Sequence, residues 1–248
     1  MANIRVAVIN ASSVLPDAQV QAATAALQTQ VRRDFAPAWG IDADLIFVPK
    51  GGTPATGSWW LTVLDDSDQA GALGYHETTN EGLPLGKAFA KTAAQDNVAW
   101  TVTASHELLE MLADPEINLT VFVQPTSNTG TLYAYEVCDA CEADQYGYSI
   151  GATLVSDFVY PAWFESSRAA GSTQFDFGKH LQQPLPQLLP GGYIGAFDVG
   201  SGSGWHQLTA IRTQDVKGAR RVQAPKGSRR DRRAMGRVNW KTSSVRFG

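Results

Sequence analysis

The order of hydrophobic patterns along this 248-residue chain predicts an α+β (mixed α/β) fold with strands of mixed direction and a β-rich C-terminal part. Three observations carry that expectation. Before residue 90, short β-branched runs recur with one helical-period segment among them. A helix bearing acids but flanked by apolar residues follows, ending at Asp114-Pro115. Beyond Pro115 the chain turns to short strand-like runs separated by Gly, Pro and Ser.

Ile4–Asn10 is β-branched and alternating, so it reads as a first strand. Pro16-Asp17 opens a helix to about Phe35, where Val20, Ala23, Ala26, Leu27, Val31 and Phe35 recur at helical spacing; Pro37 and Gly40 end it. Ala43–Pro49 and Ser58–Asp65 read as two further strands. Gly74–Glu77 and Leu85–Ala90 are short extended pieces around a loop. An exposed edge strand, at Leu73–His76 or at Leu85–Ala90, would suit an extended peptide added as a further strand. The run from Val98 starts β-branched and turns helical at about Thr103 or Ser105. Leu119–Gln124 and Thr131–Val137 follow as strands, the second delivering Glu136. Thr153–Phe164 is apolar and broken at Pro161. Pro184–Gly192 is a loop, and Tyr193–Val199 pairs with Trp205–Arg212 as a hairpin. The predicted division is 1–165 for the main domain, 166–216 for a loop and hairpin extension, and 217–248 for a basic tail.

The net charge of −4 hides a split, because residues 217–248 hold 11 basic residues and one acid, Asp231. The remainder is strongly acidic. Such a tail would fold back on the acidic body, which is the favoured expectation, or engage a docking partner or a polyanion. Val238, Trp240, Val245 and Phe247 make it more than a solvated arm. The opening MANIRVAVINASS lacks the long apolar region of a signal peptide, and no run approaches a membrane span, so a soluble chain without membrane contact is expected. The compartment stays open.

The two cysteines form Cys138-Asp-Ala-Cys141. Without a second pair they cannot make a four-cysteine zinc site within one chain. A local disulfide or two plain thiols is the expectation.

The chemistry concentrates in the helix before Pro115. His106, Glu107, Glu110 and Asp114 share an arc of roughly 100° at helical spacing. Leu108, Leu109, Met111 and Leu112 fill the opposite arc. A His and a carboxylate at i and i+4 point the same way and can share one metal ion, while the Glu beside the His is placed to act as a base. Glu110 stands where zinc peptidases of this geometry usually carry a second His. A buried group of acids needs a counter-charge, and Glu136, Asp139 and Glu142 add to it downstream.

Ser105-His106-Glu107-x-x-Glu110-x-x-x-Asp114-Pro115, followed by Glu136-x-x-Asp139-x-Cys141, resembles a family of largely uncharacterised bacterial and phage proteins related to zincin metallopeptidases. The resemblance covers about 98–142 and is looser over the N-terminal strands. It implies a zincin-like fold, with a metal-bearing helix under a twisted mixed sheet and a third ligand supplied from downstream. A zinc-dependent hydrolase acting on a peptide or protein substrate is what it implies for function.

On this reading His106 and Glu110 are ligands, Glu136 is the preferred third ligand, and Glu107 is the general base. Asp114 and Asp139 are the rival ligands, or orient His106 or a backbone turn. Tyr148, Tyr160 and His76 are candidates for oxyanion or substrate contacts. One His with carboxylates is a harder set than several His, so calcium is the less favoured alternative to zinc, and the imidazole argues against it. A binding or structural protein that keeps the ion without catalysis, as in a phage or other particle, is the alternative function.

Overall fold

In the computed structural model the described residues are 4–69, 72–165, 173–201 and 204–210. The basic tail 217–248, including its docking or polyanion role, and part of the 166–216 segment lie outside them.

Five strands form the first sheet: β1 (Ile4–Asn10), β2 (Ala43–Val48), β3 (Trp59–Leu64), β4 (Gly74–Thr78) and β5 (Pro84–Phe89). Their order is β2-β1-β3-β5-β4. All pairs are parallel except β4 with β5, which is antiparallel. β4 is therefore a rim strand and β5 is interior, which removes Leu85–Ala90 as a candidate edge.

Parallel strands need crossovers, and helix α1 (Asp17–Thr29) supplies the first. It continues as a wider π-helical turn over Gln30–Phe35 and a last turn, α2 (Ala36–Trp39). The helix thus runs four residues past the expected Phe35. Pro37 falls in the first turn of α2, directly after the π-helical turn. Gly40, at φ 69°, closes the helix in the left-handed conformation that glycine adopts freely.

After β5 come α3 (Ala90–Gln95) and α4 (Trp100–Ala113). α4 starts earlier than the β-branched run Val98–Val102 predicts. Tertiary anchors override propensity: Asp144 accepts from the Ala99 N–H at 2.7 Å, and the Thr101 hydroxyl donates to Leu154 O at 2.6 Å.

A second sheet contains β6 (Thr120–Thr126) and β7 (Thr129–Ala134), then β10 (Tyr193–Val199) and β11 (Trp205–Thr209), in the order β11-β10-β7-β6. Between them lie the small hairpin β8 (Tyr148–Ile150) and β9 (Thr153–Val155) and a one-turn helix, α5 (Pro161–Phe164). Pro161 begins α5, consistent with proline's fit at a first helical position.

α4 packs on β4, β5, β3 and β9, and α1 on β1 and β2. One core joins both halves, from Val6, Val8 and Leu61 through Leu27, Phe35, Leu108 and Met111 to Phe158, Trp163 and Ile194. No helix among the described residues is long and apolar enough to cross a membrane.

Candidate metal centre

α4 is buried on nearly every side, because both its apolar arc and its acidic arc face protein. It lies very close to the sheet, at two glycines. A Cβ on Gly74 would sit 2.6 Å from Lys87 O, 2.5 Å from Thr103 Cγ2 and 3.1 Å from Glu107 Cγ. On Gly86, which faces His76 across the β4–β5 ladder, it would sit 3.5 Å from Glu107 Cβ. Farther round the helix, the Ser105 hydroxyl accepts from the Ser156 N–H at 2.5 Å and so ties α4 to the segment after β9.

This close approach brings His76 of β4 against the acidic arc. Its Nδ1 lies 3.1 Å from Glu107 Oε2 and 3.7 Å from Glu110 Oε2. From the other side, His106 Nε2 lies 3.3 Å from Glu110 Oε2 and 3.2 Å from Asp139 Oδ1. Glu110 Oε1 accepts from the Cys138 N–H at 3.1 Å. All of these side chains are buried.

Two sets of donors have the mutual spacing that one ion requires. His106, Glu110 and Asp139 each offer an atom within 4.8 Å of the others, and so do His76, Glu110 and Glu136. Asp139 thus joins His106 and Glu110 in the place expected of Glu136, and Glu136 joins the set that contains His76. Glu136 also lies beyond the end of β7 at Ala134, rather than on the strand. Asp139 opens a one-turn 3₁₀ helix, Asp139–Cys141, and that turn aims it back at α4. Asp114 organises the turn after α4, accepting from the N–H groups of Asn118 at 3.1 Å and Leu119 at 2.8 Å.

The electrostatics follow from this crowding. Burial opposes a charge on His106, but the Glu110 charge and hydrogen bonds to Asp139 and Glu110 outweigh it and raise its pKa well above the usual imidazole value. Burial likewise opposes ionisation of Glu110, yet His106 holds it below the usual carboxylate range. Glu142 is pushed up to about 8 by burial and by the charges of Asp139, Glu107 and Glu110, although His106 pulls the other way. The ion-pair partners of Glu107 and Glu110 among the described residues are imidazoles, with no lysine or arginine.

The tyrosines lie elsewhere. Tyr148 donates to Asp34 at 2.9 Å and packs on Phe177, and Tyr160 packs on Phe158. Cys138 and Cys141 are free, buried thiols, both with pKa raised well above the usual value by burial.

A third group of donors, Asp157, Asp176 and His180, had no signal in the sequence beyond the four-residue step from Asp176 to His180. Asp157 Oδ1 accepts from the N–H groups of Phe158 and Gly178 at 2.8 and 2.9 Å. Asp176 accepts from the N–H groups of His180 and Leu181 at 2.8 and 2.9 Å. Asp157 Oδ2 lies 3.2 Å from His180 Nδ1, so all four carboxylate oxygens contact the 176–181 loop or its neighbours.

Among known proteins, no family model, no curated sequence and no solved structure matches this chain.

Proposed function

We propose that this protein is a zincin-like, metal-dependent hydrolase, most simply a peptidase. The observation that carries the reading is the buried His–carboxylate cluster of α4 lying directly beneath a rim strand of the sheet. His106 and Glu110 would hold the ion, with Asp139 the third ligand by proximity and Glu136 its rival. The donor chemistry, imidazole with carboxylates, fits zinc. A bound ion would supply Lewis acidity, polarising a carbonyl and making water a better nucleophile at neutral pH.

The chain's own groups do the rest. Among the described residues β4 pairs with β5 on one side alone, so its other side can align an extended peptide by backbone hydrogen bonds. Glu107 is the general base: it takes the proton of the attacking water and returns it to the departing amine. His76, which touches Glu107, orients that carboxylate. The near-complete burial of the cluster keeps bulk water from screening these charges.

The test is metal content and cleavage measured together. Zinc-loaded wild-type protein should cleave members of a peptide library. Glu107→Gln should keep its zinc and lose activity by about 10²–10⁴-fold, the usual range for a general base. Wild-type protein that holds zinc and cleaves nothing would instead be a binding or structural protein. Absence of zinc after loading would overturn both readings.

A further inference from the structure

We infer that the cluster is built for two divalent ions bridged by Glu110, the second held by His76 and Glu136. This rests on the proposal that the cluster binds metal, and extends it from one ion to two.

The two donor sets share one member. His106 and Asp139 complete one set with Glu110, and His76 and Glu136 complete the other. Each set has one imidazole and one carboxylate of its own. The imidazoles come from different elements, α4 and β4, and the carboxylates from the segment that follows β7. Glu110 Oε2 lies 3.3 Å from His106 Nε2, and one ring nitrogen of His76 lies within 4.8 Å of oxygens of both Glu110 and Glu136. The other oxygen of Glu110 is fixed by the Cys138 N–H. Glu110 is the one donor common to both sets, and so the one carboxylate that could bridge two ions.

An independent observation is the ring of His76. It is 6 % exposed, and its Nε2 has no hydrogen-bond partner among the described residues. Buried ring nitrogens are nearly always satisfied. The contact of Nδ1 with Glu107 at 3.1 Å favours the tautomer in which Nδ1–H donates to that carboxylate, leaving a lone pair on Nε2. A histidine whose one nitrogen is oriented by a carboxylate and whose other nitrogen is bare has the arrangement of a metal ligand. Charge agrees. Glu107, Glu110, Glu136 and Asp139 carry four negative charges when ionised, which one divalent ion halves and two cancel. Sets of one imidazole with carboxylates suit zinc or manganese.

The experiment is equilibrium dialysis of the full chain against zinc, with the bound metal counted by mass spectrometry of the elements. Wild-type protein should hold two zinc ions per chain. His76→Ala and Glu136→Gln should each hold one, with circular dichroism unchanged. Should His76→Ala fail to fold, His76→Gln keeps most of the volume. Manganese-loaded wild type gives a measurement that needs no variant: its electron paramagnetic resonance should show two exchange-coupled ions. One zinc per chain, an isolated-manganese spectrum and no effect of the His76 substitutions would overturn the two-ion site and leave the single-ion hydrolase standing. No zinc at all would overturn the underlying proposal as well.

Discussion

Asp65 and Asp157 show how environment sends the same side chain in opposite directions. Asp65 accepts hydrogen bonds from the hydroxyls of Ser12 and Ser13 and from the Ser13 and Val14 N–H groups. These hold its pKa far below the usual carboxylate range. Its contribution to stability is therefore present above the unfolded carboxylate pKa and is lost on acidification. Asp157 is buried beside Asp176, and burial together with that neighbour pushes its pKa up to about 8. The folded state then binds more protons than the unfolded one between about 4 and about 8. Stability from this site is complete below that window and falls as pH rises through it. Asp176, His180 and Cys141 face the same point. Asp157→Asn should flatten the decline in melting temperature between pH 5 and pH 8, a change on the order of 1–3 kcal/mol at the upper end. Melting curves across that range check it; identical slopes in both proteins would count against the assignment.

At the scale of elements, the approach of α4 to the β4–β5 ladder depends on residues with no side chain. Gly74→Ala would drive a methyl into Lys87 O, a backbone atom that cannot step aside. Overpacking of this kind costs about 1–3 kcal/mol. It should lower the melting temperature and also lower zinc uptake, since the helix must lift away from His76. A variant with normal stability and normal zinc uptake would mean that the spacing does not matter. Part of this arrangement was legible beforehand. The i, i+4 step from His106 to Glu110 follows from local pattern, whereas that pattern does not choose between Leu73–His76 and Leu85–Ala90 as the edge, and pairing with β3 makes the second interior. The start of α4 was not legible, because Asp144 and Leu154 secure it from far along the chain. Nor was the meeting of His76 with Glu107, thirty-one residues apart. No spacing rule connects a strand residue to a helix that crosses it. Glu136 is expected from the sequence on a strand that in fact stops at Ala134, and element ends are set by packing that a sequence does not display.

For the whole molecule, the change of character after Pro115 is a change of sheet and not of core. β10 pairs with β7 across some sixty residues, so the hairpin after residue 193 joins the sheet that β6 and β7 begin. The same apolar core runs beneath both sheets. Composition marks the transition; the shared core could be seen only once the strands were paired.

The placement of His76 on a terminal strand has a consequence for how the protein breathes. Among the described residues β4 is held by a single ladder, so its amides are expected to open without global unfolding. If one donor of an ion site travels with that strand, occupancy and fraying become a single equilibrium. Zinc at a hundred times its dissociation constant should slow deuterium uptake at Tyr75–Glu77 by about 100-fold. The opposite rim, β2, should exchange at its former rate.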